Sequence, residues 1–199
     1  MPTESTAPPL PNAPLVRFSA GRYEELTRVG FFGPGDKIEL IDGYLVEKMP
    51  QNDPHTTIVD LLSELFLRAL PAEWTIRCQF PIRLRGDTIP EPDGVVVPGP
   101  KSRYRNRKPG PADIALIIEA SDTSLRYDRT TKFALYARNR LPVYWIINIP
   151  SETVEAYSDP KAGRTPTYLT RTDFARGSRI PVLIDGTEVA EIEVDALFA

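Results

Sequence analysis

The chain has one cysteine and one histidine in 199 residues, and each scarcity excludes something. With Cys78 alone, no intramolecular disulfide can form, and nothing points to an oxidising compartment. With His55 alone, a zinc site built on several imidazoles is out of reach. No apolar run approaches the roughly 18 to 20 residues needed to cross a bilayer. The opening MPTESTAPPLPNAPLV lacks a basic segment followed by an apolar one, so it does not read as a secretory signal. Together these features predict a cytoplasmic protein with no membrane association. Positive charge is also short: 24 Lys and Arg stand against 27 Asp and Glu, a net charge of -3. That balance argues against a protein that coats DNA, because phosphate neutralisation needs an excess of cations. It does not exclude a nuclease, whose own carboxylates lower the net charge and whose metal restores positive charge.

What is present suits a globular domain: 41% hydrophobic and 26% charged residues. Residues 1–17, rich in Pro, Ser, Thr and Ala, read as a disordered tail, leaving 18–199 as a single domain. Ser19 is placed to cap a short helix, AGRYEELTRV, that Gly30 ends. KIELIDGYLVEKM has two alternating apolar runs joined by Asp42-Gly43, the pair suited to a type I′ hairpin turn. Asp53-Pro54 predicts an N-cap and first-turn proline for a helix reaching about Leu70. Its Ile58, Leu61, Leu62, Leu65 and Phe66 share one face.

WTIRCQFPIRL, DGVVVP and DIALIIEA follow as strand candidates, with the basic loop KSRYRNRKPGP between the last two. A helix over about residues 125–139 then leads into VYWIINI, an apolar run expected in a strand covered on both faces. TVEAYSD, TYLTRTDF and RIPVLI read as short antiparallel strands. The order predicts an α/β fold: a central mixed sheet flanked by helices, preceded by a helix and hairpin and followed by antiparallel strands. Trp74, Trp145 and Cys78 read as core.

Two carboxylates stand where chemistry would need them. Asp93 opens a short apolar strand behind Pro92, and Glu119 closes the run Leu116, Ile117, Ile118. A charge at the core boundary demands a cation, several donors or a shifted pKa. Taken singly, an Asp after Pro is usually a turn residue and a strand-end Glu often pairs with Arg. On neighbouring strands the two would supply hard oxygen ligands of the kind Mg²⁺ takes, with waters completing its shell.

ELIDGYLVEKMP, His55, EPDGVVV and IIEASDTSLRYDRTTKFALYARNRLPVYWIIN, in that order, resemble the Uma2 (DUF820) endonuclease family over roughly residues 20–160. The resemblance implies a restriction-endonuclease-like core of the PD-(D/E)XK type and an Mg²⁺- or Mn²⁺-dependent endonuclease acting on DNA. Asp93 and Glu119 would be the metal ligands. The superfamily signature puts a lysine two positions after the second acid, where this chain has Ser121. Similar proteins draw it from the following helix, which makes Lys132 the matching catalytic candidate; on its own, Lys132 reads as a solvated helix residue.

Glu39 and His55 are second candidates, matching positions the family repeats, although a hairpin Glu and a first-turn His are ordinarily surface residues. Glu47 reads as an exposed hairpin charge. Asp128, four residues before Lys132, reads as a surface ion pair with it. Lys101, Arg103, Tyr104, Arg105, Arg107 and Lys108 offer phosphate contacts or a solvated loop. Two other functions stay open: a catalytically silent nuclease fold that binds nucleic acid or a protein, which Ser121 keeps in play, and a hydrolase of other phosphate esters. A homodimer would suit the cutting of two strands.

Overall fold

The computed structural model describes residues 15–33 and 35–199. Most of the expected tail therefore lies outside the described residues. Ser19 caps α1 (Ala20–Arg28) by accepting from Arg22 N, and Gly30 follows at φ 72°. β1 (Ile38–Ile41) and β2 (Tyr44–Glu47) form the expected hairpin. Asp42 and Gly43 both take positive φ, 51° and 82°, as a type I′ turn requires.

The cap of α2 (Asp53–Ala69) differs from expectation. Asn52 occupies it, its side chain accepting from His55 N at 3.1 Å, and Asp53 becomes the first helical residue. β3 stops early, spanning Trp74–Cys78. Gln79 takes φ 54° and Pro81 has no N–H, so the ladder cannot run on through QFPIRL.

β4 (Gly94–Pro98), β5 (Leu116–Ser121), β6 (Val143–Asn148), β7 (Thr153–Lys161) and β8 (Thr167–Ala175) complete a six-stranded sheet ordered β3-β4-β5-β6-β7-β8. Only β5 and β6 run parallel, joined by the expected crossover. That crossover is not one regular helix. A turn of α-helix, α3 (Leu125–Tyr127), and α4 (Phe133–Arg138) flank a π-helical turn over Asp128–Lys132. The Phe133 amide reaches back five residues to the Asp128 carbonyl.

The sheet separates two cores by strand alternation. On one face, Ile76, Val96, Ile118, Trp145 and Ile147 meet Leu62 and Phe66 of α2. β9 (Arg179–Ile184), β10 (Thr187–Glu193) and α5 (Val194–Leu197) close that side; β10 and α5 are absent from the sequence reading. On the other face, Val95, Ile117, Tyr144, Ile146 and Tyr157 meet Leu135 and Tyr136 of α4. Trp145 is core as expected, while Trp74 and Cys78 are half-buried at the edge strand. Among the described residues no helix is long and apolar enough to cross a membrane.

Candidate metal centre

Strand alternation puts Glu119 on the α4 face with Ile117, and the antiparallel pairing of β4 with β5 brings Asp93 beside it. The Asp93 amide donates to Glu119 Oε2 at 3.3 Å. Both hydrogen bonds to the Asp93 carboxylate fall on Oδ2, from Ala120 N at 2.9 Å and from His55 Nε2 at 3.1 Å. His55 thus comes off the first turn of α2 onto the acid, not onto the surface. Glu119 Oε1 accepts from the Tyr136 hydroxyl at 2.5 Å and lies 3.3 Å from Lys132 Nζ.

Lys132 is buried, and it lies between two carboxylates: its ammonium donates to Glu39 Oε1 at 2.8 Å as well as facing Glu119. Glu39 is itself pinned by the Glu91 amide at 2.7 Å. Glu39 on β1 is therefore interior, whereas Glu47 at the far end of β2, paired with Ile38, is exposed at the cleft rim. Asp128 also corrects its expectation. It is buried, and its Oδ2 accepts from Ser121 and Ser124 hydroxyls at 2.7 and 2.6 Å, with no ion pair to Lys132. Asp128 opens the π turn and Lys132 closes it, both are buried, and each finds its own partners: the two serines for Asp128, Glu39 and Glu119 for Lys132. Ser121, standing where the signature has lysine, thus serves to hold Asp128.

Burial dominates the electrostatics. Glu39, Asp93, Glu119 and Asp128 are each at most 5% exposed, against one buried ammonium. Burial pushes Glu119 up to about 8, with Lys132 pulling it back and Asp93 and Asp128 adding to the rise. Burial alone would raise Asp93 too, but the hydrogen bond and charge of His55, with Lys48 and the Ala120 amide, hold it below the usual range. Burial raises Asp128 against the pull of its two serines. Desolvation works against the Lys132 charge, yet Glu119 and Glu39 keep it charged above the ordinary lysine range.

These groups line one open cleft of about 250 Å³, which the Lys48–Asn52 segment between β2 and α2 also lines. Lys48 braces that segment, donating to the Glu91 carbonyl at 2.9 Å. Tyr127 lines the cleft as well, its hydroxyl buried without a partner. Among the described residues no three Asp, Glu, His or Cys side chains form a ready-made cage. Two adjacent carboxylates with one Asp93 oxygen free of hydrogen bonds fit a hard ion that keeps most of its waters, not a fully protein-enclosed one.

The basic loop contributes no residue to the cleft lining. Arg107 is engaged with Asp113 and Lys108 with Glu24, while Arg103 and Arg105 are exposed and Tyr104 is buried. Tyr136 and the interior role of Asp128 were missed in the sequence. Nothing local in the sequence singles out Tyr136, because its hydroxyl partner lies on a strand 17 residues away.

A family model, Uma2, described as "Putative restriction endonuclease", matches residues 21–187. The chain belongs to the Uma2 family. The Uma2 core is also recognisable in three dimensions. A crystal structure from Anabaena variabilis ATCC 29413, described as "a putative nuclease belonging to DUF820", superposes with a TM-score of 0.62. The alignment spans 91% of this chain and 97% of that one at 16% identity, a likeness of fold. No curated protein matches this Uma2 chain.

Proposed function

We propose that this Uma2 protein is an Mg²⁺- or Mn²⁺-dependent endonuclease that hydrolyses phosphodiester bonds of DNA, within a single domain spanning 18–199. The observation that carries the reading is the surplus of buried negative charge: four carboxylates converge on one open cleft around a single buried ammonium. Buried carboxylates in such excess require a cation or a retained proton. Asp93 and Glu119 would hold the metal. When bound, the ion would supply positive charge at the phosphate and acidify a water.

The remaining chemistry belongs to the chain. His55 and the Ala120 amide fix Oδ2 of Asp93 and leave its other oxygen toward the cleft. Tyr136 and Lys132 anchor Oε1 of Glu119. The Lys132 ammonium, held by Glu39, is a preorganised positive charge for an attacking water or for charge developing on phosphate. Ser121 at the signature lysine position favours a second reading, a silent nuclease fold that binds nucleic acid or a protein partner. The arrival of Lys132 within 3.3 Å of Glu119 supports the catalytic reading over it.

Cleavage of supercoiled plasmid decides between them. Wild type with Mg²⁺ or Mn²⁺ should nick or linearise it, and Asp93→Ala and Glu119→Ala should each lose at least two orders of magnitude in rate. A folded wild type inert with both metals on DNA and RNA would favour the binding protein. Turnover of small phosphate esters but not of polymers would make it a different phosphoesterase.

A further inference from the structure

Outside the cleft, β3 and the basic loop build a feature of their own. The guanidinium of Arg77 on β3 lies between two rings, 4.7 Å from the Phe80 centroid and 5.3 Å from that of Tyr104. Arg107 covers Tyr104 in turn at 4.9 Å, so the order is Phe80, Arg77, Tyr104, Arg107. Hydrogen bonds do not explain the arrangement: Arg77 Nε and the Tyr104 hydroxyl are both buried without partners. Tyr104 is 5% exposed and packed in the core on the α4 face of the sheet, which anchors the middle of the stack.

The terminal ring differs. Phe80 is 52% exposed, an apolar ring left in solvent beside a guanidinium. Around it the charge runs opposite to the chain as a whole. Lys101, Arg103 and Arg105 are exposed and pair with no carboxylate among the described residues, and Arg77 has none either. In a protein of net charge -3 this is a local positive surface.

Its position ties it to the cleft. Cys78 pairs with Gly94, and the Gln79 amide donates to the Asp93 carbonyl at 3.2 Å. Phe80 therefore sits on the chain segment next to the one that carries the proposed metal ligand, about 5 to 10 Å away by strand spacing.

We propose that Phe80, backed by the Arg77–Tyr104–Arg107 stack and flanked by Lys101, Arg103 and Arg105, is a docking surface for a single-stranded stretch of nucleic acid beside the cleft. The inference rests on the endonuclease reading and specifies its substrate. An exposed ring held rigid by a cation offers a face on which an unpaired base stacks, whereas the bases of an intact duplex are covered by their neighbours. Unpaired cations on the adjoining loop suit the phosphates that the same strand carries past it. The cleft then acts where the strand leaves the stacking ring, so that nicks fall in unpaired or locally opened DNA.

The test is binding without turnover. Fluorescence anisotropy of labelled oligothymidylate, and of a labelled duplex, is measured with Ca²⁺ in place of Mg²⁺. Phe80→Ala should weaken oligothymidylate binding about tenfold or more and Phe80→Trp should restore it. Duplex affinity should respond far less. Arg103→Glu with Arg105→Glu should weaken both and flatten the salt dependence of single-strand binding by about 0.7 per lost phosphate contact. Oligothymidylate binding unchanged in Phe80→Ala, with an unaltered circular dichroism spectrum, would overturn the proposal. So would a wild type that binds duplex alone. Because the assay needs no cleavage, it separates the two claims: Phe80-dependent binding by a protein that never cuts would keep this inference and remove the nuclease. Cutting indifferent to Phe80 would do the reverse.

Discussion

At the residue scale the account turns on Lys132. Among the described residues its ammonium is the one buried counter-charge to Glu39 and Glu119, so removing it strands two carboxylates in low dielectric. Breaking a buried pair from one side costs about 3–5 kcal/mol. Lys132→Met should therefore lose both activity and that much stability in urea melts, and Glu39→Gln should recover part of the stability in the double variant. A merely solvated Lys132 would show neither effect. Glu119 makes a second prediction through its proton. With its carboxyl raised to about 8, the folded protein retains a proton that a divalent ion must displace. Mn²⁺ affinity should thus climb as pH rises from about 6 toward 8, by at most about tenfold per unit for one proton released. A flat profile by calorimetry would show that Glu119 does not ligate.

At the scale of elements, the sequence was legible where local chemistry decides. Asp42-Gly43 announced its turn, the apolar face of α2 announced its packing, and the runs around Ile117 and Ile146 announced buried strands. It was not legible where a distant partner or an irregular turn decides. The four-residue spacing suggested a surface pair, but Asp128 and Lys132 are both buried and held by Ser121 and Ser124 on one side and Glu39 and Glu119 on the other, and nothing in DRTTK signals the π turn between them. β10 hides because TEVAEIE breaks its alternation at Val189-Ala190, where the pairing to β9 shifts register. The positions of Asp93 and Glu119 followed from the family order; that they meet follows from the β4–β5 register.

Two element-level changes have definite signs. A Cβ on Gly94 would lie 2.9 Å from Leu62 Cδ2, where α2 crosses β4, so Gly94→Ala should overpack the contact and cost about 1–3 kcal/mol. Asn52→Ala should remove the α2 cap and cost about 1 kcal/mol, loosening the turn that carries His55. Both are read by thermal or urea melts.

For the whole molecule, buried carboxylates fall into two settings with opposite outcomes. Around Glu155 on β7 the carboxylate has cations to spare: Arg129 and Arg171, with the Tyr157 hydroxyl and Asn148 amide, surround it. Burial works to raise that carboxyl, and Arg129, Tyr157, Asn148 and Arg171 together bring it below the ordinary value. A depressed folded pKa adds stability above the unfolded value of about 4.3, and that stability is lost as pH falls through the folded one. Glu155→Gln should therefore lower the melting temperature at neutral pH and make less difference in strong acid; an equal loss at both would contradict it. Around the cleft four buried carboxylates face one buried ammonium among the described residues. The most direct measurement is a Mn²⁺ titration of the purified chain by electron paramagnetic resonance at pH 8, for wild type and for Asp93→Asn. Wild type should bind Mn²⁺ saturably, Mg²⁺ should displace it, and a folded Asp93→Asn should bind none. Absent binding in wild type, or binding that survives the substitution, would contradict the proposed metal site.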